Sequence, residues 1–193
     1  MYGVSRTVIR ESLKVLESKG LVRGKPRIGT SVCDKDDWNI LDQDVLEWMG
    51  PHIADFDILG SILEARRTIE PAAAEYAAER ATAREIADLE NAWQQMRDSG
   101  DDPESFTEAD VTFHKVLLGA SHNQVFRRLS SAMHAGLKYA LHASNVAAHS
   151  RVESITGHGE LVEALRLRDR TAARDCAHRM LDLAARDLAV ERR

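Results

Sequence analysis

From Asp57 to about Val190 apolar residues recur at steps of three and four, and no alternating apolar and polar run interrupts them. A stretch with that single period buries its apolar stripes only against one another, which predicts an all-α fold, an antiparallel bundle of about six helices. Ile58, Ile62, Arg66, Ile69, Ala73 and Tyr76 share one face of the first helix, where Pro71 must be met by a bend or by packing. Thr82-Ala-Arg-Glu85 is a capping box that opens the next, with Ile86, Leu89, Trp93 and Met96 inward and Ser99-Gly100 at its end. Asp101-Asp102-Pro103 starts a third, to about Ala120. Three more are expected, from about Asn123 to the His142 region, from about Val152 to Arg168, and from Thr171 to about Val190.

Residues 3 to 33 have a different character. Ser5 is a good N-cap; Ile9, Leu13 and Leu16 give one apolar face, and Arg6, Arg10 and Lys14 form a cationic stripe at i, i+4, i+8. Gly20 stops this helix. Leu21-Val22 opens a short strand, Gly24-Lys25-Pro26-Arg27 is turn chemistry, and Ile28 to Val32 returns as a second strand. Within a chain of net charge −5, residues 1–33 hold seven cations against Glu11 and Glu17, a net of +5, which leaves −10 for the remainder. A basic head on an acidic body suits phosphate contact at one end. Asp34-Lys-Asp-Asp37 then breaks the pattern, and Trp38 to Trp48 forms a short amphipathic segment that Trp38, Leu41, Val45 and Trp48 would dock. The resulting division is 1–36, a linker over 37–56, and 57–193.

No run of about eighteen apolar residues is present and the N-terminus lacks a secretory apolar core, so membrane insertion and export are unsupported and a cytoplasmic setting is expected. Cys33 and Cys176 stand in no metal-ligand spacing and read as two reduced thiols.

The N-terminal motif, Val4-Ser5-Arg6-Thr7, Ile9-Arg10-Glu11, Leu13, Leu16-Glu17, Gly20-Leu21-Val22 and Gly29-Thr30-Ser31-Val32, resembles the winged helix-turn-helix of the GntR family of bacterial transcription regulators. Val8 stands where that family usually has proline. The resemblance implies a recognition helix and β-wing, with Ser5, Arg6, Thr7, Arg10, Lys14, Lys25 and Arg27 as the DNA-contacting set. It also implies about two helices ahead of this point, so the chain as given is expected to carry a partial module and to bind an operator weakly. The segment Trp38-Asn-Ile-Leu-Asp-Gln-Asp-Val-Leu-Glu-Trp48 looks like members that respond to sugar acids such as galactonate. Residues 57–190 resemble the FCD effector domain of the FadR branch.

Chemistry concentrates on Ala109-Asp110-Val-Thr-Phe113-His114 and Thr156-Gly157-His158. Asp110 and His114 are i, i+4 on one helix, so their heads converge, and a carboxylate with imidazoles suits a borderline divalent ion. Taken alone the pair is equally a buried hydrogen-bonded couple. In FCD domains an Asp-x-x-Phe-His motif and a later histidine supply metal ligands, and the resemblance assigns those roles to Asp110, His114 and His158, with zinc as the first candidate. The family's fourth ligand falls on Met180, a departure; His178 lies two residues away, roughly 200° around the helix, and cannot take over. Either three side chains hold the metal with open positions, or they bind effector directly. Arg66 sits on an inward face, as an ion-pair partner of Glu64, Glu70 or another helix, or as a bidentate clamp for an effector carboxylate, which the resemblance favours. Among the remaining histidines, His134 is the best placed to face the pocket.

The resemblance implies a DNA-binding regulator, a repressor, acting as a homodimer with a small organic acid as effector. The alternatives are an effector-binding module without specific DNA binding of its own, and a metal-dependent enzyme, which would leave the basic wing unexplained and lacks an evident nucleophile.

Overall fold

The computed structural model describes residues 3–25, 27–50, 58–130, 138 and 151–191, with the side chains of 188–191 left aside. They fall into two compact units, Met1–Met49 and Gly50–Arg193. Of the segment expected as a linker, 37–49 fall in the first unit, and 51–56 lie outside the described residues.

In the first unit α1 (Arg6–Ser18) begins where Ser5 takes an extended backbone and its hydroxyl accepts from the Val8 N–H at 3.3 Å. It ends at Gly20, whose φ of +75° lets the Gly20 and Leu21 N–H groups turn back to the Glu17 and Leu16 carbonyls. A Cβ at Gly20 would stand 2.2 Å from the Asp37 carbonyl oxygen, so sterics as well as φ demand glycine. β1 (Val22–Lys25) and β2 (Gly29–Val32) pair antiparallel with Val22 opposite Val32 and Lys25 opposite Gly29. Gly24 and Lys25, expected in the turn, are therefore strand residues, because the ladder closes two pairs beyond where composition suggested. The turn places Arg27, at φ +65°, and the 82% exposed Ile28 at the wing tip.

No residue of α1 is buried: Ile9 is exposed, and Leu13 and Leu16 are half-buried. α2 (Gln43–Met49) buries Val45, Leu46 and Met49, while Leu41 and Trp48 stay exposed, which corrects the expected docking set. Leu41 precedes the helix, so helical spacing does not carry it onto that face. Trp48 lies about 60°, a sixth of a turn, beyond the buried edge at 100° per residue.

The second unit is the expected bundle: α3 (Ile58–Arg80), α4 (Ala83–Asp98), α5 (Pro103–Ala120), α6 (described over 124–130), α7 (Arg151–Arg166) and α8 (Arg170–Glu191). The Thr82 hydroxyl accepts from the Glu85 N–H, and Glu85 Oε2 accepts from the Thr82 N–H at 2.8 Å, closing the capping box. Asp102 caps α5 with Pro103 as its first residue. α3 runs unbroken through buried Pro71, which removes one intrahelical hydrogen bond but takes up core space. Small residues, Ala74, Ala77 and Ala78 on α3 with Ala173 and Ala177 on α8, share one core with Phe113, Leu117, Leu161 and Leu165. Arg170–Glu75 and Arg166–Glu90 bridge α8 to α3 and α7 to α4 at the surface. Among the described residues, the wing holds the only strands. No described helix is long and apolar enough to cross a membrane.

Candidate functional site

Asp110 and His114 project from one face of α5, and His158 from α7, into the bundle interior, where all three are at least 97% buried. One donor atom from each lies within 4.8 Å of the other two. Asp110 Oδ1 is 3.2 Å from His114 Nε2 and 3.1 Å from His158 Nε2. The ring of Phe113 meets that of His158 edge-on at 4.6 Å and fixes its plane.

The outer nitrogens determine what the inner ones offer. His158 Nδ1 is 2.7 Å from the Ser154 carbonyl, which accepts only, so the proton sits on Nδ1 and Nε2 presents a lone pair toward Asp110. His114 Nδ1 is 2.8 Å from Glu70 Oε2, close though not along the N–H line; Arg66 Nη2, which can only donate, lies 3.0 Å from Nε2, so the lone pair faces inward there as well and the ring proton stands on the outer nitrogen beside the carboxylate. His158 Nε2 makes no aligned hydrogen bond. Two imidazole lone pairs and a carboxylate oxygen facing one another at about 3 Å repel unless a cation stands between them. This donor set therefore fits a divalent metal, each histidine backed by an outer acceptor that orients the ring.

Burial works to raise the Glu70 pKa, but the Arg66 guanidinium and the His114 imidazole outweigh it and hold it down to about 2. Asp110 follows the same pattern: burial opposes its ionisation, and the His114 and His158 imidazoles beside it carry its pKa well below the usual carboxylate range. For His114 burial and the Arg66 charge favour the neutral ring, yet the Glu70 charge and Asp110 prevail and raise its pKa.

Arg66, 3% exposed on α3, forms the ion pair with Glu70 that was one of its expected alternatives: Nε lies 2.7 Å from Oε1, and Nη2 3.5 Å from Oε2. Its Nη2 also lies 3.0 Å from His114 Nε2, which places the guanidinium against the cluster. Glu70 is the functional residue that sequence reasoning missed. It was legible as a partner of Arg66 one turn away, but nothing in the spacing linked it to a histidine 44 positions further on. His134 lies outside the described residues. His178 is exposed, and Met180 is buried, its Cγ 3.0 Å from the point where a Cβ on Gly157 would stand.

In the first unit Arg6, Thr7, Arg10 and Lys14 are exposed along α1, Ser5 at its cap, and Lys25 and Arg27 at the wing. Glu11 interrupts the cationic stripe: its Oε1 accepts from Lys14 at 3.1 Å and stands 3.8 Å from Arg10. Behind the stripe Lys19 pairs with Asp42 at 2.6 Å and Asp44 at 2.7 Å, and Arg23 with Asp37 at 3.2 Å. Residues 1–49 carry eight Lys and Arg against eight Asp and Glu, so this unit is polarised rather than net basic.

Residues 61–183 match the FCD domain family, and residues 1–32 match the family described as bacterial regulatory proteins, gntR family. The chain is 32% identical to the galactonate operon transcriptional repressor of Escherichia coli (strain K12), over 97% of this chain and 82% of that protein. It is 33% identical to the uncharacterised HTH-type regulator YieP of the same organism, over 69% of this chain and 59% of that one. Among solved structures, Streptococcus agalactiae GntR superposes with a TM-score of 0.64 at 23% identity, covering 95% of this chain and 82% of the other. E. coli McbR/YncC gives 0.60 at 22% identity, covering 99% and 83%.

Proposed function

Because this chain belongs to the GntR family of bacterial transcription regulators, in the branch that carries an FCD domain, we propose that it is a cytoplasmic, homodimeric repressor released or engaged by a sugar acid bound in the helical bundle. Its relatives are regulators, and the buried cluster serves binding rather than turnover. The observation that carries the effector reading is the convergence of Asp110, His114 and His158 beside the buried Arg66 guanidinium, donors suited to a cation next to a group suited to a carboxylate.

Asp110, His114 and His158 would hold a divalent ion, zinc first, which would supply positive charge for effector oxygens. Met180, in the fourth place, would not contribute, since a thioether is a poor partner beside oxygen and nitrogen donors. Arg66 orients the effector carboxylate, and occupation of the bundle shifts the balance between arrangements of the dimer. On DNA, Arg6, Thr7, Arg10 and Lys14 lie in the major groove with the Ser5 end foremost, and Lys25 and Arg27 reach the phosphates. The galactonate operon repressor suggests an aldonic acid as the first ligand to try.

Thermal unfolding with a panel of aldonic and uronic acids, with zinc and with a chelator, tests this reading. A ligand that binds only the folded protein raises its midpoint by mass action, and an acid with D-galactonate stereochemistry should do so most in the presence of metal. A panel in which no acid shifts the midpoint in either condition rejects the sugar-acid reading.

A further inference from the structure

The contact between Arg66 Nη2 and His114 Nε2 places an internal donor on the atom a metal needs. Arginine has donors only, so a 3.0 Å approach is favourable only if Nε2 offers a lone pair. With Nε2 accepting from Arg66, the His114 proton stands on Nδ1, 2.8 Å from Glu70 Oε2, so Nε2 carries the only lone pair on that ring, and it faces Asp110 and His158. One lone pair serves one partner. Arg66 and a metal ion are therefore competitors for the same nitrogen.

We propose that Arg66 is a metal-released clamp: ligation of His114 Nε2 removes the acceptor of Arg66 Nη2, and the freed N–H groups then take the carboxylate of the effector, so that metal and effector bind cooperatively. The proposal rests on the metal and sugar-acid reading above and adds how the two ligands are coupled. The fork is built for such a turn. Its Nε side is tethered to Glu70 at 2.7 Å, whereas Nη2 is held by Glu70 only at 3.5 Å, so Nη2 can swing while Nε stays anchored. A buried N–H left without an acceptor is costly, and a divalent charge nearby disfavours its return to His114. Both effects are relieved by a carboxylate that touches metal and guanidinium together. Neither ligand alone gains that relief, and the coupling is necessarily reciprocal.

The test is calorimetry on the full chain, metal-stripped or zinc-loaded, with D-galactonate as the anionic probe and galactose as the uncharged control. For the wild type, zinc should raise galactonate affinity by about 5- to 150-fold, and galactonate should raise zinc affinity by the same factor. In Arg66→Lys, which keeps a cation beside Glu70 but loses the fork, zinc without galactonate should bind at least as tightly as in the wild type, and the coupling should shrink by about tenfold, within that same range. Weaker zinc binding in Arg66→Lys would mean that Arg66 supports the ligand set and does not compete with it. Coupling undiminished in the variant would mean that metal alone attracts the carboxylate. Either overturns the clamp. Nitrogen-15 spectra of the Arg66 guanidinium separate this from failure of the sugar-acid reading: zinc alone should move the Nη signals even if galactonate binds neither form, and signals indifferent to zinc overturn the exchange. Circular dichroism confirms that the variant is folded.

Discussion

Replacing Glu70 by alanine tests the energetics of the bundle core directly. The carboxylate and Arg66 are both almost fully inaccessible, with side chains 3% and 4% exposed, so solvent screening does not soften their interaction. Removing one member of a buried pair leaves the other charged and uncompensated, which costs about 3–5 kcal/mol. Against a total stability of about 5–15 kcal/mol for a folded domain, that is at least about a fifth of the whole. The same substitution removes the acceptor at His114 Nδ1, 2.8 Å away, and with it the outer partner that orients the ring. Loss of such a partner lowers metal affinity by about 10- to 100-fold. Urea unfolding of metal-stripped protein, followed by circular dichroism at neutral pH, reads the first effect, and zinc titration reads the second. Arg66→Met combined with Glu70→Leu should be much more stable than Glu70→Ala alone, because an apolar pair of similar volume removes both the Coulomb attraction and the desolvation penalty. A cost below about 1 kcal/mol for Glu70→Ala, the level of an exposed pair, together with unchanged zinc affinity, would refute the reasoning.

Acid should destabilise the metal-free bundle in a defined window. Glu70, with a pKa held down to about 2, contributes stability that is complete above the ordinary glutamate value and disappears as pH falls toward 2; pH-dependent melting of wild type against Glu70→Gln should show a shallower acid slope in the variant. The raised pKa of His114 acts in the opposite direction, adding stability that is complete below the ordinary histidine value and is lost as pH rises through the folded one. Gly159→Ala should destabilise by about 1–3 kcal/mol, since its Cβ would lie 2.7 Å from Trp93 Cζ2, on a ring whose Nε1–H is pinned to the Ile155 carbonyl at 2.8 Å. Gly157→Ala, two residues earlier on the same helix, faces the flexible Met180 side chain at 3.0 Å and should cost less, so the order of the two melting temperatures is the check. Gly20→Ala combines a left-handed φ with a 2.2 Å clash against the Asp37 backbone and should loosen the N-terminal unit, seen as faster amide exchange over residues 22–32.

Helix period, caps and breakers act over a few residues, which is why they were readable without a structure. Thr82 and Glu85 close their capping box, Asp102 and Pro103 open α5, and Ser5 and Gly20 bound α1 as the local chemistry required. The Asp110–His114 pair was readable for the same reason, since four residues along a helix is one turn. The α2 docking set was misjudged because the apolar spacing was continued upstream of Gln43, where no helix exists to carry it. Glu11, one residue from Arg10, was visible in the sequence, but its pairing with Lys14 depends on side-chain direction. What needed tertiary structure was the partnership of distant residues. Arg66 had several possible counter-ions, and only the packing of α3 against α5 selected Glu70 and brought both to His114, while α7 delivered His158 to the same point. Charge pairing in a core depends on which helix faces interlock, and that follows from how many side-chain volumes fit together at once, a property that a period along the chain does not encode.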